Sequence, residues 1–276
     1  MRTLIGFLVA GLAAFGTPAA QAADLDYGVL RGAEYDTPVQ TVDWTGVYVG
    51  GHGGYTGTSV GFGNAGRSEI AQIVRGLRVE AEYGVSGSNR LRSKNGRGGS
   101  FGGFAGYNMQ FDDTVVGIEV DYTSLNQSVA SSDSLGRNVT LSNGLYDSFA
   151  IATRSSAKMI DYGTIRARGG FAFGPFMPFA TAGIAFGRAE VRNQVQVSLR
   201  EYTDNTRTTL VGALDQSGGG GAKEKYALGF AAGGGIDYAI TSNVFLRAEY
   251  QYIQFADFGD QKVHLNTVRG ALGVKF

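Results

Sequence analysis

The sequence has no cysteine, four prolines in 276 residues, one tryptophan, two histidines and no excess of either charge. Without thiols there can be no disulfide, so stability must come from packing and hydrogen bonding alone. His52 and His264 stand far apart in the chain, which does not make a metal site, and no cofactor is expected. Lys plus Arg and Asp plus Glu balance at 24 each, so the basic footprint of a nucleic-acid binder is missing. Nothing past the amino-terminal region approaches the roughly 18 consecutive apolar residues of a transmembrane helix, which excludes a helical membrane protein.

What the sequence does have is glycine, phenylalanine and tyrosine, 44, 17 and 14 residues. That much glycine weakens helices, and the aromatics favour strands. In the terminal TVRGALGVKF, Val268, Gly270, Leu272, Val274 and Phe276 alternate with Thr267, Arg269, Ala271, Gly273 and Lys275. The pattern is a strand with one apolar face. It runs to the last residue, where chains usually fray, so another strand must pair with it.

The other end reads as an export signal. MRTLIGFLVAGLAAFGTPAAQAA carries one Arg, an uncharged stretch from Thr3 to Phe15 and an Ala20-Gln21-Ala22 cleavage site. We expect residues 1–22 to be a cleaved signal peptide. Residues 23–43, with five acidic side chains against Arg31, form a periplasmic leader with little structure. The remainder, 44–276, forms one domain.

Eight strands are expected near 44–57, 100–110, 114–123, 158–173, 177–188, 225–238, 243–255 and 264–276. Tight connections follow the second, fourth and sixth; long ones follow the first, third and fifth. The fold class is therefore all-β, an eight-stranded antiparallel transmembrane β-barrel with short periplasmic turns and long extracellular loops. Alternation places Glu119, Asp121, Arg166, Arg168, Asp237, Arg247, Glu249 and Arg269 on the polar face. A soluble lipocalin-like barrel shows the same period with the faces exchanged. Four Arg that can pair with four carboxylates in a narrow lumen, and few Lys on the strands, favour the membrane barrel.

Several stretches carry residue types that could do chemistry. GFGNAG, 61–66, matches a dinucleotide fingerprint, but a glycine-rich strand without βαβ repetition makes it a chance match. SSAK, 155–158, matches S-x-x-K but has no partner motif and leads into a strand. His264, at the outer end of the last strand, is the candidate for lipid A chemistry, set against a polar rim residue. Arg90, Arg92, Lys94 and Arg97 are set to contact lipopolysaccharide phosphates or to form a solvated loop tip. The alternation of Leu77, Val79, Ala81, Tyr83 and Val85 predicts a projecting strand. The fifth strand is expected to continue through AEVRNQVQVSL, the second loop to be polar and irregular, and SGGGGAKEK to be a flexible stretch of the third.

VDWTGVYVGGHGGY, VVGIEVDY, GTIRARGGFAFGPFMPFATAGIAFG and ALGFAAGGGIDYAITSNVFLRAEYQYIQF resemble strands of the small eight-stranded outer-membrane proteins of alphaproteobacteria, the porin-family or opacity-like surface antigens. VRGALGVKF is similar to their C-terminal assembly signal, which implies that Val268, Gly270, Leu272, Val274 and Phe276 are read by the barrel-insertion machinery. The resemblance implies location in the outer membrane with lipid and lipopolysaccharide as neighbours, and no catalytic residues. The expected role is structural: envelope integrity and surface-loop interactions with a ligand the sequence does not identify, and at most a narrow porin-like conductance. The alternatives are a lipid A-modifying enzyme using His264 and adhesion through the loops.

Overall fold

The computed structural model describes residues 42–88, 90–258 and 261–276. The expected signal peptide and almost all of the leader lie outside the described residues. Nine strands run in chain order, β1 Gly46–Gly61, β2 Lys94–Phe111, β3 Thr114–Thr140, β4 Tyr146–Phe171, β5 Phe176–Tyr202, β6 Leu210–Gly219, β7 Lys223–Ala239, β8 Val244–Phe255 and β9 Lys262–Lys275. Two short helices, α1 Arg67–Ile73 and α2 Arg78–Tyr83, lie between β1 and β2.

All pairings are antiparallel, and β1 pairs with both β2 and β9, so the sheet closes on itself. The ninth strand does not widen the ring. β6 and β7 lie end to end on the same edge of β5, β6 against 194–202 and β7 against 176–191, interrupted at 220–222. Eight strands therefore surround the lumen, as expected from the alternating loop lengths.

The faces follow from the period of two. On β3, Val116, Ile118, Val120 and Tyr122 are exposed while Glu119 and Asp121 are buried; on β8, Leu246 and Tyr250 are exposed while Arg247, Glu249 and Gln251 are buried. An apolar outside around a charged inside is the inverse of a soluble barrel and fits a wall facing lipid. Glycine makes room where bulky lumen side chains approach the wall. A Cβ on Gly106 would lie 2.4 Å from the Tyr48 ring, and one on Gly273 2.2 Å from Phe245.

Three expectations are overturned. The second long connection is not a loop: β3 and β4 continue well past the ring and meet at residues 141–145. Its alternating positions are mostly Ser, Ala and Asn, small residues that hide the period, and their apolar face is covered by helices rather than by another sheet. The strand predicted over Leu77–Val85 is instead α2 and a 3-10 turn, Val85–Gly87. Arg78, Glu80, Ala81 and Glu82 are good helix formers, and Gly76 and Gly84, at φ of 79° and 57°, bracket the turn of helix. SGGGGAKEK is mostly the end of β6 and the start of β7. The continuation of the fifth strand is present, and β5 runs to Tyr202.

Candidate functional site

The lumen is filled in layers. At the end with the tight turns, Trp44, Tyr48, Phe104, Val115, Met177 and Phe245 form an apolar floor. Above it lie the eight charged residues, none more than 3% exposed. Register creates much of the network, because Glu119 stands opposite Arg166, Asp237 opposite Arg247 and Glu249 opposite Arg269 on adjacent strands. Bonds then cross the lumen. Arg166 joins Glu119 and Glu249, each at 2.5 Å, Arg247 reaches Glu119 at 2.6 Å, and Arg269 reaches Asp121 at 2.8 Å. Arg168 pairs with Asp237, its guanidinium 3.9 Å from the centre of the Phe179 ring.

Sequence reasoning missed two members. Tyr48 donates to Glu119 at 2.9 Å, and His52 Nε2 lies 3.0 Å from Asp121. Their signal was the even parity of β1, which turns Tyr48, His52, Thr56 and Thr58 inward between small glycines. Thr56 bridges Ser100 and Thr267 at 2.9 Å each, and Thr58 donates to Gln127. Beyond this polar layer a second apolar cluster, including Phe62, Met159, Phe255, Phe258 and Leu265, seals the other end.

The long ends of β3, β4 and β5, with β6, make a sheet that stands beyond the ring. Its inner face packs Phe149, Ile151, Val195 and Val197 against Ile70, Val74, Val79 and Val85 from the α1–α2 segment. Glu82 of α2 accepts the Ser142 N–H at 2.9 Å and its hydroxyl at 2.6 Å, and Tyr83 donates to the Thr140 carbonyl. Beneath this clamp Asp147 faces Glu201 across the β4–β5 ladder, and its Oδ1 has no hydrogen-bond partner among the described residues.

Burial, then repulsion from Glu201 and Glu82, pushes the Asp147 carboxyl up to about 6. Arg78 is the cation that acts on Glu82 from α2. A carboxyl raised in the folded state holds its proton more tightly there, so the Asp147 contribution to docking of α2 weakens as pH rises through about 6, whereas Glu82, lowered by its Ser142 bonds, acts in the opposite sense and loses its contribution only below the ordinary carboxyl range of about 4. We expect hydrogen exchange of the α2 amides, corrected for the intrinsic pH effect, to be slower relative to an unfolded chain at pH 5 than at pH 7.5. The difference should vanish in Asp147→Asn; an unchanged difference would remove Asp147 as its source.

The remaining candidates are placed as follows. Arg90 and Arg92 precede β2, while Lys94 and Arg97 lie on it, all exposed. Arg97 has the outward parity of Phe101 and Lys94 the opposite parity, so the run is not one patch. His264 contacts the Tyr252 hydroxyl through Nδ1 at 3.2 Å and has Ser59 as its cross-strand neighbour. Among the described residues no hydrogen bond joins it to a serine or a carboxylate. GFGNAG is the turn from β1 into the seven-residue α1. Ser155 is buried and bonded to Asn193, whereas Lys158 has the opposite parity on β4 and cannot serve it as a base. No group of three or more His, Cys, Asp or Glu that could hold a metal exists among the described residues. Of the terminal alternation, Val268, Gly270, Leu272, Val274 and Phe276 are all exposed on the lipid face.

An inward charge network inside a closed wall of outward apolar residues is the geometry of a membrane barrel, and the sequence comparison agrees. Residues 7–276 match the family described as the outer membrane protein beta-barrel domain. The chain belongs to that family. This outer-membrane barrel is 28% identical over 284 residues to the 31 kDa outer-membrane immunogenic protein of Brucella melitensis, covering 98% of each chain. It is 26% identical over 186 residues to the 22 kDa outer membrane protein of Rhizobium leguminosarum bv. viciae, covering 64% of this chain and 66% of that one. Among solved structures it is similar to Neisserial surface protein A, at 15% identity and a TM-score of 0.38, over 84% of this chain and 98% of the other. Its location is the bacterial outer membrane, as its sequence led us to expect.

Proposed function

We propose that the protein is a structural outer-membrane barrel that contributes to envelope integrity and holds the β3–β6 sheet with α1 and α2 above the outer leaflet as its interaction surface. The observation that carries this reading is the filled lumen. Two apolar plugs enclose a charge network, and an eight-stranded ring has no width left for a solute path. The projection, in contrast, is an ordered unit with its own apolar core, which suits a surface presented to other molecules. Its relatives are named as immunogenic outer-membrane proteins, consistent with surface display.

His264 has the Tyr252 hydroxyl as its partner and, among the described residues, no serine or carboxylate bonded to it, so the lipid A-modifying reading lacks the nucleophile–base pair it needs. Barrel-assembly machinery and lipopolysaccharide remain the partners this reading needs. The test is single-channel recording of pure monomer in planar bilayers. We expect no porin-sized steps, at most rare narrow events, together with detergent sensitivity in cells lacking the protein. Regular large steps would replace the structural reading by a diffusion pore.

A further inference from the structure

We propose that the outer wall of β4 and β5 seats a phosphorylated glycolipid of the outer leaflet, with an acyl chain in a slot at Gly163 and its phosphates on Arg188 and Arg192. The inference deepens the role proposed above, whose lipopolysaccharide partner it gives a seat, and rests otherwise only on the membrane location.

The slot comes from one row of the ladder. Tyr122, Gly163, Phe186 and Leu228 are successive cross-strand neighbours on β3, β4, β5 and β7. The three large side chains are 56%, 48% and 59% exposed, and between the first two glycine contributes nothing, leaving a groove of about 520 Å³ open to the bilayer. Ile165 and Ile184, both exposed, continue the apolar wall below it. Such a groove is filled by a hydrocarbon chain at no desolvation cost, because lipid already surrounds it.

Charge begins directly above the slot. Asp161 accepts from Arg188 Nε at 3.2 Å and Nη2 at 2.5 Å, and from the Tyr122 hydroxyl at 3.0 Å. These bonds fix the guanidinium at the boundary while its side chain stays 37% exposed. Arg192 shares the parity of Arg188 four residues further out on β5, roughly 13 Å along the strand. Lys158 lies between them on β4, opposite Glu190. Arg188 and Arg192, on one face of β5 and four residues apart, can each take one phosphate of a disaccharide phosphorylated at both ends as a bidentate acceptor. Glu190 and Glu224 lie opposite each other on β5 and β7, where sugar hydroxyls can donate to them. A single-phosphate glycerophospholipid uses only half of this arrangement.

The test is native mass spectrometry of the full mature protein extracted into detergent and supplied in turn with bisphosphorylated lipid A, enzymatically dephosphorylated lipid A and phosphatidylethanolamine. Two variants separate the parts. Gly163→Leu fills the slot; a Cβ there meets only the Asp121 carbonyl oxygen at 3.5 Å, an ordinary contact, so the barrel should fold. Lys158→Gln with Arg192→Gln removes cations without touching the Asp161–Arg188 pair. Heat-modifiable migration checks the fold of each. We expect wild type to retain bisphosphorylated lipid A, and either variant, or loss of the phosphates, to weaken retention about tenfold, a change of about 1.4 kcal/mol. Equal retention by Gly163→Leu, or equal retention of phosphatidylethanolamine, would overturn the proposal. Displacement of lipid A by inorganic phosphate from wild type and Gly163→Leu alike would assign the cations to a free anion and overturn it as well.

Discussion

Arg166→Met is expected to destabilise the barrel by about 3 kcal/mol or more, the cost of leaving a buried ionic cluster with an unmatched charge. Arg166 is completely buried and touches both Glu119 and Glu249. Without it those carboxylates keep only Arg247, Arg168 and Arg269, which already serve Asp237 and Asp121. The cluster then holds one more negative charge than positive in a space sealed by apolar layers. The single tryptophan offers the readout, because Trp44 is 3% exposed in the floor and edge-on to Phe245 at 6.1 Å. Guanidinium unfolding in micelles, followed by Trp44 fluorescence, should show a much lower midpoint for Arg166→Met and almost none of this change for Arg90→Met on the surface. A loss below about 1 kcal/mol would mean that the lumen tolerates the imbalance, and that the network does not hold the barrel together.

The second large effect concerns making the barrel rather than keeping it. Phe276 is 75% exposed, and its backbone N–H donates to the Val47 carbonyl at 2.9 Å. Alanine keeps that bond and sacrifices little packing, so the refolded Phe276→Ala protein should match wild-type stability to within about 1 kcal/mol. If the insertion machinery reads the terminal alternation, the amount of heat-modifiable protein in the outer membrane should nevertheless fall severalfold. Normal amounts in cells would show that the terminal aromatic is not read. A large stability loss in vitro would instead make it an ordinary structural residue.

The membrane-spanning part of the fold was legible because lipid and lumen impose opposite demands on successive residues. In LRAEYQY and VGIEVDY the two faces can be told apart at every position, and the structure places them so. Above the membrane that contrast ends. Water bathes the outer face of β3 and β4 there, and Ser and Ala suffice on it, so SVASSDSLGRNVT looks irregular although it is a strand. Of its apolar residues, Val129 joins the outer lumen plug and Val139 packs against the cluster that α1 and α2 cover, so each makes sense only once its partner surface is known. The α2 error arose the same way, since five alternating positions are too few to separate a strand from a short helix when the partner surface is unknown. The lumen acids and bases were legible as polar positions, whereas their particular pairings depend on register across the ring and on Tyr48 and His52 between them.

β3, β4 and β5 have 27, 26 and 27 residues, against 12 and 14 for β8 and β9. A tilted membrane strand needs about 9–11 residues, so the β8–β9 side ends close to the lipid surface while the opposite side rises tens of ångströms above it, at roughly 3.3 Å per residue. The molecule thus has a tall flank and a low flank. Within the bilayer both flanks present the same barrel wall, and they differ only above the lipid, where the tall flank alone stands clear of the surface and is reached from outside the cell.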